Sequence, residues 1–153
     1  LVRHYMQKEF LKLDKRFPGS VAALRDSLIA CITLPSSRVF VPNDTILSDE
    51  GNIFLKELSK IFSGKDDFRI VISVFTANSG SSAHIARFSQ QRADAAAVEL
   101  QRILGDKSVV IPFGMGDTEP IAKNNTYQGR EENRRIEVWL IPSVSLIEKL
   151  TGK

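Results

Sequence analysis

The chain has 153 residues, 42% hydrophobic and 25% charged, with 21 lysines and arginines against 18 aspartates and glutamates. That is room for one globular domain with a real core and a small extension, and the net charge of +3 permits an anionic partner without demanding one. No apolar run reaches the roughly 18 to 20 residues of a membrane-spanning helix, and a single cysteine, Cys31, excludes an internal disulfide and a cysteine-based metal site.

The chain opens on Leu1 rather than Met, so a processed or trimmed chain is expected, with any upstream signal peptide or anchor out of view. Leu28-Ile29-Ala30-Cys31 has the outline of a lipoprotein cleavage site. Arg25 and Asp26 stand where its apolar signal core should be, so Cys31 reads as a small buried side chain.

Residues 1 to 17 set Tyr5, Met6, Phe10, Leu11 and Leu13 among Lys and Glu at helical spacing. Pro18-Gly19 breaks that helix, and Ser20 is placed to cap a second one bearing Val21, Leu24 and Leu28. Residues 1–30 are therefore expected to form an N-terminal helical extension or linker ahead of a domain at 31–153. Ile32 to Val41 reads as extended with an irregularity at Pro35, and Pro42-Asn43-Asp44 as a turn.

Ser48-Asp49-Glu50 has the chemistry of a helix start, a capping hydroxyl followed by two acids facing the positive end of the dipole. Phe54, Leu55, Leu58, Ile61 and Phe62 then form one apolar stripe, and Gly64 is placed to end it. Phe68 to Phe75 is apolar on both faces, as a central strand must be. Gly80-Ser81-Ser82 opens a long helix over about 84 to 104. At 100° per residue Ile85, Arg92, Ala96 and Ile103 share a narrow arc, so Arg92 sits inside the apolar stripe and must be paired or reach a pocket rim.

Ser108 to Phe113 is a further strand, and a long polar loop from Gly114 leads to the last one. There Ile136, Val138 and Leu140 alternate inward against Glu137 and Trp139, and Pro142 stops the strand. Ser143 to Leu150 reads as a short terminal helix. The fold class is α+β, in the order βαβαβ(loop)β, with a mixed four-stranded sheet and the helices packed on one face.

Catalytic chemistry finds no foothold. His4 and His84 are far apart, no histidine pair has metal-ligand spacing, and no Ser or Cys stands in a nucleophile motif, so no enzyme, metal or cofactor is expected. Gly114-x-Gly116 lacks the Lys-Ser of a phosphate loop and reads as a strand-end turn. Arg134-Arg135 stands among Glu131, Glu132 and Glu137, which favours an internal ion-pair network over nucleic-acid contact.

Gly114-x-Gly116-x-x-x-Pro120, followed by Asn124-x-Thr126-x-x-Gly129-Arg130-x-x-Asn133-Arg134-Arg135-Ile136-Glu137, resembles the end of the OmpA-like peptidoglycan-associated domain. That family includes outer-membrane anchors, peptidoglycan-associated lipoproteins and the flagellar stator subunit MotB. Phe40 with Leu47-Ser48-x-x-Gly51 resembles its first strand and helix start, and Ser89-x-x-Arg92-Ala93 its second-helix motif, so the resemblance spans about residues 36 to 141.

The resemblance implies a non-enzymatic component of the periplasm, at the outer membrane or cell wall. It would bind the diaminopimelate stem peptide of peptidoglycan non-covalently and anchor an envelope-spanning assembly. Other envelope-complex proteins are implied as partners, with no nucleic acid, and with a membrane only through an upstream anchor. In the family an aspartate and an arginine grip the amine and carboxylate of diaminopimelate. Arg92 matches the arginine; Ala77 stands at the aspartate position, and Ile85 replaces a helix-opening asparagine. The implied ligand site is Arg92, Thr76, Ala77, Asn78 and Asp44, framed by Gly129, Arg130, Asn133 and Arg134. The alternative is a scaffold subunit of a secretion system (type IV-like) or motility complex that has lost wall binding and works through protein contacts.

Overall fold

Ser48 does what its position predicts: its Oγ accepts from Gly51 N at 2.9 Å and starts the helix Asp49–Phe62. A computed structural model describes residues 1–24, 28–62, 67–106 and 108–152. In chain order it contains α1 (Val2–Arg16), β1 (Val21–Leu24), β2 (Ile29–Pro35), a 3-10 turn (Ser36–Arg38), α2 (Asp49–Phe62), β3 (Phe68–Phe75), α3 (Ser82–Leu104), β4 (Val109–Gly116), α4 (Tyr127–Asn133), β5 (Arg135–Pro142) and α5 (Val144–Thr151). Gly64, expected to end α2, lies outside the described residues.

The strands form one mixed sheet in the order β1-β2-β5-β3-β4, antiparallel except for the β3–β4 pair. Period-two alternation decides which face is buried. Ile70, Ile72 and Val74 of β3 and Ile136, Val138 and Leu140 of β5 are at most 1% exposed, and they meet Phe54, Leu55, Leu58 and Phe62 of α2 and Ala93, Ala96, Ala97 and Leu100 of α3 in one core. Met6 and Leu13 of α1 and Leu146 of α5 belong to the same core. The alanines of α3 let it lie close to the sheet.

Two expectations are corrected. The second N-terminal helix is instead β1: Val21 pairs with Ile32, and the Ser20 carbonyl, rather than capping a helix, accepts Thr33 N at 2.8 Å. The sheet consequently has five strands, not four. Val21-Ala-Ala-Leu24 is too short to carry a period, and pairing with β2 settles it. The expected long loop from Gly114 is also more ordered than its polarity suggests. β4 continues through Gly116, and α4 occupies Tyr127–Asn133, capped by Thr126 Oγ1 accepting Gly129 N at 3.0 Å. Pro142 ends the last strand as expected, as its final paired residue, opposite Phe68.

Candidate functional site

Ser81 caps α3, accepting His84 N at 3.2 Å, and this sets the helix register so that Ile85, Ser89, Arg92 and Ala93 face inward. Arg92 is 7% exposed. Its Nε donates to the Asp44 carbonyl at 2.7 Å and its Nη2 to the Val41 carbonyl at 3.3 Å. The guanidinium lies between two rings, 4.8 Å from the centroid of Phe40 and 4.4 Å from that of Phe88.

The Val41–Asp44 turn that supplies these carbonyls is tight. Val41 N donates to Ile46 O at 2.9 Å, Asp44 N donates to Val41 O at 3.1 Å, and Asn43 takes a φ of 55°. Among the described residues Arg92 forms no salt bridge. The Asp44 carboxylate is turned to its own neighbour, accepting Thr45 N at 2.7 Å. Burial pulls the Arg92 pKa down to about 10, Asp44 opposes the shift and Arg134 adds to it. The group is still a cation at neutral pH, neutralised by backbone dipoles and ring faces rather than by a bonded carboxylate. A guanidinium with N–H groups to spare can take an anion by charge-assisted hydrogen bonds.

The rest of the implied site lies at the end of β3. Thr76 N donates to Gly116 O at 2.8 Å, and Gly116 N donates to Ser89 Oγ at 3.1 Å, which ties the ends of β3 and β4 to α3 one turn before Arg92. Thr76 Oγ1 is buried without a hydrogen-bond partner among the described residues, Ala77 is 2% exposed, and Asn78 is exposed. The structure thus brings Arg92 together with Asp44. No hydrogen bond joins Thr76, Ala77 or Asn78 to Arg92 among the described residues, and a methyl group occupies position 77.

The frame residues act on the chain between β4 and β5. Asn133, fully buried, accepts Ile121 N and Ala122 N at 2.7 and 2.9 Å and donates to Ala122 O and Asn124 Oδ1 at 2.9 Å each. Arg130 donates to Asn124 O at 3.1 Å, and Arg134 pairs with Glu131. At Gly129 any Cβ would overlap the Lys123 carbonyl, so only glycine allows α4 to sit there.

Sequence reasoning placed Arg135 only in a general ion-pair network. It is 4% exposed, pairs with Glu137 at 2.8 Å, donates to Glu119 O at 3.0 Å and lies 3.8 Å from the centroid of Phe75. Its strand parity shared with Glu137 was the available signal. The carbonyls of Val41 and Asp44 left no sequence signal, because any residue supplies them. No cluster of three or more metal-ligating side chains occurs among the described residues.

The chain is 29% identical over 144 residues to "Probable lipoprotein YiaD" of Escherichia coli (strain K12), covering 92% of this chain and 65% of that protein. It is 38% identical over 74 residues to "Peptidoglycan-binding protein ArfA" of Mycobacterium tuberculosis (strain ATCC 25618 / H37Rv), covering 47% of this chain and 22% of that protein. The chain therefore spans less than two thirds of the length of these relatives. The crystal structure of a "MotB like protein" from Desulfovibrio vulgaris has the same fold, with a TM-score of 0.76 at 20% identity over 92% of this chain and 94% of that one. Residues 39–134, from β2's outgoing turn through α4, match the model of the OmpA family, and the chain belongs to that family.

Proposed function

We propose that the chain is a non-enzymatic component of the bacterial cell envelope that binds peptidoglycan non-covalently in the periplasm and holds an assembly to the wall. In this reading the wall-binding domain at 31–153 is completed by residues 1–30, whose β1 extends the sheet and whose α1 buries Met6 and Leu13 in the core. The observation that carries the proposal is Arg92: a buried cation on the apolar face of α3, oriented by two carbonyls and two rings, with no carboxylate salt-bridged to it among the described residues. A carboxylate of the diaminopimelate stem peptide has the charge and fork geometry that a guanidinium recognises. The wall-binding relative ArfA supports the same ligand class.

Ala77 gives no anion for the ammonium group of diaminopimelate, so recognition rests on the carboxylate half of the zwitterion. Thr76 and Asn78, which flank position 77, and Asp44 border the ammonium half in this reading and offer it substitute oxygens. The test is retention by purified sacculi. Wild-type chain should co-sediment, Arg92→Ala should lose at least ten-fold in retention, and Ala77→Asp should gain about ten-fold by restoring one charge-assisted contact. Undiminished retention of Arg92→Ala would place the ligand elsewhere.

A further inference from the structure

The net charge of the chain resides in one helix. Five of the 21 basic residues and two of the 18 acidic ones lie within residues 1–16, so the rest of the chain holds sixteen of each and the whole net charge of +3 belongs to this segment. α1 buries Met6, Glu9 and Leu13 against the domain. On the opposite face His4, Lys8, Leu11 and Lys15 follow at i, i+4, i+7 and i+11, one exposed stripe along about 17 Å of helix.

Glu9 lies on the buried side, and Asp14 is half-buried to the side, so no carboxylate enters the stripe. Lys12 at its border pairs with Glu9, and Arg16 pairs with Glu57 of α2; Lys8 and Lys15 form no salt bridge among the described residues. Leu11, midway between Lys8 and Lys15, is 66% exposed.

We propose that this face of α1 is a docking surface for a bilayer containing anionic phospholipid, which lays the domain's N-terminal helix along the membrane. Charge complementarity carries the anionic partner. Leu11 chooses a bilayer over a soluble polyanion, because an apolar side chain in the middle of a cation stripe gains nothing from a polymer of charges. At a lipid interface it enters the acyl boundary while Lys8 and Lys15 extend to the headgroups. The surface lies on α1, apart from Arg92 on α3, so its success or failure is independent of wall binding.

The test is sedimentation of the chain with vesicles of phosphatidylcholine alone and of phosphatidylcholine mixed with phosphatidylglycerol, at low and high salt. Binding should require phosphatidylglycerol and fall with salt. At about fivefold per cation, Lys8→Gln with Lys15→Gln should weaken it roughly 25-fold, and Leu11→Gln about tenfold. Lys8→Arg with Lys15→Arg should retain it. All three positions face solvent, and thermal melts check that the variants fold. Absence of binding to phosphatidylglycerol vesicles at low salt, or binding that survives the double glutamine variant, overturns the proposal. So does a double variant that loses sacculus retention while vesicle binding is unchanged or absent, which would make the stripe a contact with the wall polymer.

Discussion

Asn133 satisfies both backbone groups of Ala122: its Oδ1 accepts Ala122 N and its Nδ2 donates to Ala122 O, each at 2.9 Å. The same carboxamide also serves Ile121 N and Asn124 Oδ1, so one buried side chain replaces the pairing a strand would have provided. Only an amide carries both an acceptor and two donors in that plane. Asn133→Ala should therefore destabilise the domain by about 2 kcal/mol, the cost of stripping a fully buried carboxamide site of its hydrogen bonds to the partly exposed 121–124 segment. Asn133→Asp should cost a similar amount, because it keeps the acceptors and loses both donors. Urea titration of the three proteins reads the difference.

Gly114 marks the closest approach of β4 to α3. A Cβ there would overlap the backbone of Gln90, whose Oε1 accepts Gly114 N at 2.8 Å. Gly114→Ala should force strand and helix apart and cost about 2 kcal/mol or more, with a lowered melting temperature and loss of the Gln90 bond. Gly105→Ala makes a control, since open space surrounds that position, though its φ of 83° carries a backbone penalty of its own.

Arg92→Lys separates charge from geometry. An ammonium keeps the positive charge but cannot donate to the Asp44 and Val41 carbonyls in the planar arrangement of a guanidinium, nor offer a delocalised plane to Phe40 and Phe88. Sacculus retention should fall at least ten-fold while the cation remains. Equal retention by Arg92→Lys would mean that a point charge suffices and that the two rings are only packing.

Cys31 predicts an alkaline weakness. Burial pushes its thiol up to about 12, with Glu137 adding to the shift. The unfolded thiol loses its proton near pH 8.5 while the native one keeps it, so the native state binds more protons and stability falls as pH rises. Between about pH 8 and about pH 10.5 this contributes a loss of about 2 kcal/mol. Tyr5, raised by burial and by its bond to Asp67, acts in the same direction, so the measurement is the difference between wild type and Cys31→Ala. Denaturant titrations at the two pH values should show a shallower decline in the variant.

Legibility in the sequence followed the physics of each element. α2 was readable because cap, dipole acids and apolar stripe agree, and Arg92 because a cation inside such a stripe is anomalous at any homology. β1 was not, since four residues without alternation become a strand only when β2 is beside them. α4 was equally hidden. Its two buried positions are Gly129 and Asn133, neither apolar, so no hydrophobic period exists to be found. The glycines before it were read as turn formers, which fits Gly116 at φ +56°, whereas Gly114 is a contact point for α3. The cradle of Arg92 was invisible because its acceptors are carbonyls.

The strand order carries a consequence for how the molecule is assembled. β5, last of the five strands in sequence, lies in the middle of the sheet between β2 and β3, and β3 reaches β2 only through it. A chain ending before Arg135 would own two disconnected ribbons, β1 with β2 and β3 with β4, each with half a core. The contacts that join them are far apart in sequence, so folding waits for closure of a long loop and proceeds as one event. The two ribbons are joined into one sheet only when β5 pairs with both.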